Sequence, residues 1–334
     1  MTDKPSETQA EPLVGVLLLA HGGPDSLDDV EPFLANIRGG REVPKNLVEI
    51  VRERYRLIGG RSPLLEISRR QAHALEQELN AAGPLFRVYL GMRNWHPFIR
   101  ETMEQIAQDG LRQLIALCLA PQNSRLSVGL YRQHVERVQQ ELGLEIPMTF
   151  IESWHREPLL IEAFAEKLSQ AMTACSADAL EVIFTAHSLP EKIVADGDPY
   201  DSQVRETVSA VARRCGLARW HFAYQSQGAT AEPWLGPKVE TVLEQLAASG
   251  ARHVLLAPIG FVADHVEVLY DIDIAFRQFA EARAILLRRT ESLNDSPALI
   301  HALASVVRRH LPLCGPATGF PRKPIPPREP REPN

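Results

Sequence analysis

Short apolar runs recur along the chain, each closed by turn residues and followed by a longer segment of helical spacing. Leu13–Ala20 (LVGVLLLA), Leu85–Met92, Gln113–Ala120 and Met148–Glu152 read as strands. They are apolar at nearly every position rather than at alternate ones, which predicts strands covered on both faces. Pro97–Gln108 and Ser127–Leu142 space their apolar residues three and four apart, as amphipathic helices do. The pattern then restarts. Leu180–Ala186, Trp220–Ser226, His253–Pro258 and Ala284–Leu287 read as strands, and Ser296-Pro297 supplies an N-cap and a first-turn proline for a last helix reaching His310. Such strand–helix alternation predicts parallel sheets layered between helices, an α/β fold.

The second half repeats the first in outline. VGVLLLA-His21-Gly-Gly-Pro is echoed by EVIFTA-His187-Ser-Leu-Pro. LIALCLA-Pro121, followed by Ser127-Val-Gly-Leu-Tyr131, is echoed by HVLLA-Pro258, followed by Val266-Glu-Val-Leu-Tyr270. The repetition predicts two similar doubly wound domains, 13–152 and 153–313, facing each other across a cleft. Ligands of open α/β sheets bind beyond the carboxyl ends of the strands, where His21 and His187 both fall. The ends, 1–12 and 314–334, are rich in proline and charge and poor in apolar side chains, so they are expected to be disordered.

Composition narrows the classes of function. Of the 334 residues, 45% are hydrophobic and 23% charged, ordinary for a protein with a real core. The formal net charge of −6 supplies no basic field for nucleic acid. No run approaches the length of a membrane span, and MTDKPSETQAEP is no secretory signal, so the expectation is a cytoplasmic protein without an integral membrane segment. Cys118, Cys175, Cys215 and Cys314 are far apart, which argues against a disulfide framework or a thiolate metal cluster.

Three groups of residues can carry chemistry. In FTA-His187-SLP an imidazole leaves a buried strand and can bind a transition metal or accept a proton near neutral pH; a ring merely bonded to a backbone carbonyl is the plainer reading. In Asp264-His-Val-Glu267-Val-Leu-Tyr-Asp271 a helix starting at Asp264 would put three carboxylates on one face. The same letters also spell a capping box with Asp264 at the N-cap. Arg38, Arg41, Arg54 and Arg93 cluster in the first-half loops, where guanidinium groups suit anions; a solvated basic surface is the alternative. The glycines match neither a dinucleotide fingerprint nor a P-loop.

GGPDSLDDVEPFLANIRGGR, RYRLIGGRSPLLEI, GMRNWHPF, FTAHSLP, YQSQ and APIGFVADHVEVLYDID together resemble the ferrochelatase family, from about Val14 to about Leu313. The resemblance implies two Rossmann-like domains around a porphyrin cleft and insertion of ferrous iron, as substrate, to complete haem. It implies that His187 and Glu267 face each other across the macrocycle site and handle metal and pyrrole protons, with either division of labour open. It also implies that Arg38, Arg54, Tyr55, Ser62 and Tyr131 line the porphyrin pocket. Cys314 stands alone near the C-terminus, where cluster-bearing relatives use several cysteines, so no iron–sulfur cluster is expected.

Two positions depart from relatives. His21 stands where some carry a tyrosine able to bind iron; it is read as a second, axial metal contact or as a packing residue. It also resembles the catalytic histidine of smaller cobalt or sirohydrochlorin chelatases. Ala275 replaces a carboxylate found in some relatives, shortening any outward path for protons or metal. GMRNWHP and LAPQNSRLSVGLYRQ lean toward the bacterial type that uses coproporphyrin III; protoporphyrin IX is the alternative substrate. Other readings are a cobalt or nickel tetrapyrrole chelatase, and a non-catalytic haem-binding or delivery protein. Haem made here would pass to transient hand-off partners.

Overall fold

The computed structural model describes residues 14–82, 85–175, 179–228 and 230–311. The ends read above as disordered, and Cys314, lie outside these residues. Two four-stranded parallel sheets form the frame. The first contains β1 (Val14–Ala20), β2 (Phe86–Met92), β3 (Gln113–Cys118) and β4 (Met148–Ile151), in the order β2-β1-β3-β4. The second contains β5 (Leu180–His187), β6 (His221–Gln225), β7 (His253–Ala257) and β8 (Leu286–Arg289), in the order β6-β5-β7-β8. The strand orders are the same, which is the duplication expected from sequence. The likeness extends to a detail no motif announced: Met92 N–H donates to Pro97 O and Tyr224 N–H to Pro237 O, both at 2.7 Å.

Period-two alternation explains the continuous apolar strands. Val16, Leu18, Ile115, Leu117, Val182, Phe184, Leu255 and Ala257 point into one core shared by both halves. Leu17, Leu19 and Ala116 face an outer core of the first half, and Ile183, Val254 and Leu256 an outer core of the second. The last helix, Pro297–Arg309, packs on both Leu64–Leu79 and Pro158–Cys175 and so ties the halves together. Its N-cap is as expected, with Ser296 Oγ accepting from Leu299 N–H at 3.4 Å. Among the described residues no helix is long and apolar enough to cross a membrane.

The last strand corrects the sequence reading. Ala284 has a positive φ of 56°, and Ile285 N–H still donates to Ala280 O, so these residues close the preceding helix. The strand runs Leu286–Arg289 instead. As an edge strand paired only with β7, it accommodates the charged Arg288 and Arg289.

The carboxyl ends of the two sheets meet. Beyond β3, Gln122, Asn123 and Ser124 bond to Thr207, Gln203 and Asp198 of the second half. Above this junction, helices Val30–Ile37 and Lys45–Leu57 form a small apolar cap, on which Val266 packs.

Candidate active site

His187 is the last residue of β5, and Tyr200 Oη donates to its backbone carbonyl at 3.0 Å. The ring donates from Nδ1 to the Ser188 carbonyl, which places the proton on Nδ1 and turns Nε2 outward. Nε2 lies 3.5 Å from Glu267 Oε1, and each side chain is 30% exposed. The other oxygen, Glu267 Oε2, lies 3.6 Å from Nε2 of His265, whose Nδ1 donates to Ala263 O at 3.0 Å. The carboxylate therefore stands between two imidazoles that are oriented in the same way.

Backbone contacts hold this group in place. Thr185 Oγ1 donates to Gln225 Oε1 at 2.7 Å, and Gln225 Nε2 donates to the Glu267 carbonyl at 2.8 Å. The loop after β7 passes so close to β5 that a Cβ on Gly260 would lie 2.7 Å from Ala186 Cα, so only glycine fits there.

Charge follows from this geometry. Burial pushes the Glu267 carboxyl up, but His187 and His265 more than offset it and hold the group well below the usual carboxylate range. Burial likewise disfavours the His187 imidazolium, yet Glu267 outweighs it and raises the ring above its ordinary value. Asp271, one turn on from Glu267, is raised by burial and by the Glu267 charge, partly countered by a hydrogen bond from Ser226.

The first half supplies the facing wall. His21 follows β1 and donates from Nδ1 to Gly22 O at 3.1 Å, leaving its Nε2 free as well. Its ring meets Phe33 edge-on with centroids 5.9 Å apart. Protein around the ring disfavours the cation, Arg93 adds repulsion, and the pKa falls to about 4; the residue is nevertheless exposed, which moderates that desolvation. Arg93 also lies over the Tyr131 ring, 5.4 Å from its centroid. Arg54 reaches across to the second half, with Nη1 3.7 Å from Asp271 Oδ1 and the guanidinium 5.1 Å from the Tyr270 centroid.

Tyr55 and Ser62 are buried beside Gly23, where a Cβ would lie 2.4 Å from Ser62 Oγ and 3.8 Å from Tyr55 Oη. Burial and the Glu267 charge raise the Tyr55 phenol. Arg38 sits apart from these contacts at the end of Val30–Ile37, with its Nε buried and unpartnered. The arginine group is thus not a uniformly solvated surface: Arg54 and Arg93 face the cleft.

The expected carboxylate stripe is corrected. Asp264 precedes the helix, whose N-cap is His265 without a side-chain cap bond, so neither the three-carboxylate face nor the capping box forms. Asp264 turns away and accepts from Ser292 Oγ at 2.7 Å and Asn294 Nδ2 at 2.9 Å. The α-helical turn Val266–Leu269 gives way to π-helix over Asp271–Phe276. His265 was not picked out as a site residue from sequence, whereas Arg93 was read among the loop arginines that suit an anion. The signal for His265 is its place two residues before Glu267 on extended backbone, with φ −159° and ψ −176°, which lets both side chains serve one site. Among the described residues no group of three or more His, Cys, Asp or Glu is arranged to hold an ion.

Two matched parallel sheets, joined at their carboxyl ends over an imidazole–carboxylate pair, define a chelatase-type fold. Similar solved structures are the sirohydrochlorin chelatase SirB from Bacillus subtilis subspecies spizizenii in complex with cobalt (TM-score 0.53, 11% identity, 89% of this chain and 94% of that one) and CbiX, the terminal enzyme for biosynthesis of siroheme in denitrifying bacteria (TM-score 0.50, 10% identity, 89% and 100%). These likenesses concern the fold alone. The ferrochelatase family model matches residues 13–311. Ferrochelatases of Herpetosiphon aurantiacus and Acidobacterium capsulatum are 41% and 42% identical over 87% and 90% of this chain and 97% and 95% of theirs. The coproporphyrin III ferrochelatase of a Geobacillus strain is 38% identical over 91% of this chain and 100% of its own. The chain belongs to the ferrochelatase family, lyases that insert iron into a porphyrin in haem synthesis.

Proposed function

We propose that this protein inserts ferrous iron into coproporphyrin III, with His187 and Glu267 as the catalytic pair. The observation that carries the reading is the Glu267 carboxylate standing 3.5 Å from His187 Nε2 in a half-buried cleft. Metallation replaces two pyrrole protons by one metal ion, so the site needs a proton acceptor beside the ring. Neutral His187, its Nδ1 occupied by Ser188, offers the Nε2 lone pair for that purpose. Glu267 carries the compensating charge and is a donor for the incoming ferrous ion. Protons leave past Asp271, where the carboxylate path ends because Ala275 takes the next position.

The porphyrin is proposed to lie against Tyr55, Ser62 and Tyr131, with its carboxylates on Arg38, Arg54 and Arg93. Neither Arg38 nor Arg93 forms an ion pair among the described residues, which supports an anionic ligand with several carboxylates. Four propionates, as in coproporphyrin III, suit this better than the two of protoporphyrin IX. His21, with Nε2 free, is assigned as an axial contact to the metallated product. We divide the chain at residue 152, place the reaction in the cytoplasm, and infer that the metallated porphyrin passes to a transient acceptor.

Anaerobic ferrous iron insertion, followed by absorbance with the two porphyrins side by side, tests the reading. Many turnovers per chain, faster with coproporphyrin III, are expected. A preference for protoporphyrin IX overturns the substrate assignment. One equivalent bound without turnover would make the protein a carrier, and faster insertion of cobalt than iron would make it a chelatase for another metal.

A further inference from the structure

The segment that carries Glu267 is tied from behind to the end of β8 by the Arg289 guanidinium. Arg289, the last residue of β8, is 15% exposed at its side chain. Its Nε and Nη2 donate to Asp273 Oδ1 and Oδ2 at 2.8 and 2.9 Å, a two-pronged contact. Nη2 also lies 3.4 Å from Asp264 Oδ1, and Nη1 donates to the Thr290 carbonyl at 3.0 Å. Asp264 and Asp273 bracket the stretch bearing His265, Glu267 and Asp271. The loop after β8 completes the attachment: Asn294 N–H donates to Val262 O, and Asp264 N–H to Asn294 Oδ1, both at 2.8 Å.

This stretch has reason to need an external fastening. Past Leu269 the backbone is π-helical, with Ala275 N–H donating five residues back to Tyr270 O at 3.0 Å. A π-turn is uncommon and poorly self-supporting, so its local hydrogen bonds alone fix the preceding turn weakly. Glu267 must nevertheless keep its place between two imidazoles, because small displacements of a reacting group are costly in rate. Direct contacts to Glu267 come from His187, His265 and Gln225; Arg289 touches none of these and acts only through the two aspartates.

We propose that Arg289 is a positioning residue for Glu267, clamping Asp264 and Asp273 to the end of β8 so that the turn between them presents the carboxylate to His187. The inference rests on the reading of Glu267 as part of the reaction site.

Steady-state insertion of ferrous iron by Arg289→Met and Arg289→Lys tests it, beside the unmodified chain. Arg289→Met keeps the apolar stem and removes both prongs; kcat is expected to fall by about tenfold or more, since misplacement costs rate. KM for the porphyrin stays within about twofold, because its binding wall is untouched. Lys restores the charge without the fork and recovers part of kcat. Asp273→Asn, close to isosteric, gives the same pattern at smaller size and carries the test should the methionine variant fail to fold. Unchanged kcat in a folded variant, or a rise in KM that accounts for the whole loss, overturns the proposal. Failure of the unmodified chain to turn over would instead strike at the assignment of the site.

Discussion

The ends of β1 and β5 occupy equivalent places in two sheets of the same strand order, and each carries a histidine. Both rings donate from Nδ1 to the backbone carbonyl of the next residue; Nε2 of His21 is left free, while Nε2 of His187 meets Glu267. Their electrostatic surroundings differ. His187 faces Glu267, which overcomes burial and raises its affinity for a proton. For His21 burial is the main cause of a lowered proton affinity; Arg93 adds repulsion, and the Glu267 charge offsets only part of it. One duplicated strand end has thus become two different groups: a ring whose proton affinity is raised and a ring whose proton affinity is lowered. The lesson is that the fold supplies the position, while burial and the neighbouring charges together set the proton affinity of each ring.

The two strand ends should respond unequally to truncation. The largest effect belongs to His187→Ala, which removes the proposed proton acceptor; kcat for iron insertion should fall by roughly 10²–10⁴-fold, the usual weight of general base catalysis. A loss below about tenfold in the folded variant would remove His187 from the mechanism. His21→Ala should be milder, with the insertion rate kept within about tenfold, because this ring is not assigned the proton transfer. Its signature is instead a changed absorption spectrum of the enzyme-bound iron porphyrin, from loss of the proposed axial nitrogen. An unaltered spectrum would make His21 a packing residue.

Much of this site was legible in the sequence, for physical reasons. His187 closes an apolar run too uniform to be anything but a doubly covered strand, and strand ends of such sheets face ligands. The repeat of that pattern from His21 gave the two-sheet architecture. Other features were hidden because their causes are not local. Asp264 looked like a neighbour of Glu267 on one helical face. The helix begins two residues later and soon widens into a π-turn, so the three-and-four spacing does not apply. What turns Asp264 backward is Ser292, Asn294 and Arg289, between 25 and 30 residues further on. Arg289 lies just beyond the run Ala284–Leu287 read as the last strand, so its place at the end of an edge strand was not visible from the apolar pattern. The core shared by both halves was equally out of reach, since a helix pattern states which face is apolar but not which sheet will cover it.

The most direct test of the contrast between the two histidines is the pH profile of kcat/KM for iron insertion, compared between the unmodified chain and Glu267→Gln. The base must be neutral to accept a proton, so activity should rise with pH through the His187 pKa, which Glu267 lifts above the ordinary value of 6.5. Glutamine keeps the shape and removes the charge; burial then acts without its counterweight, and the acid limb should move to lower pH while the residual rate falls. An acid limb that stays in place or moves upward would contradict the account, because Glu267 would then not be the group that sets the protonation of His187.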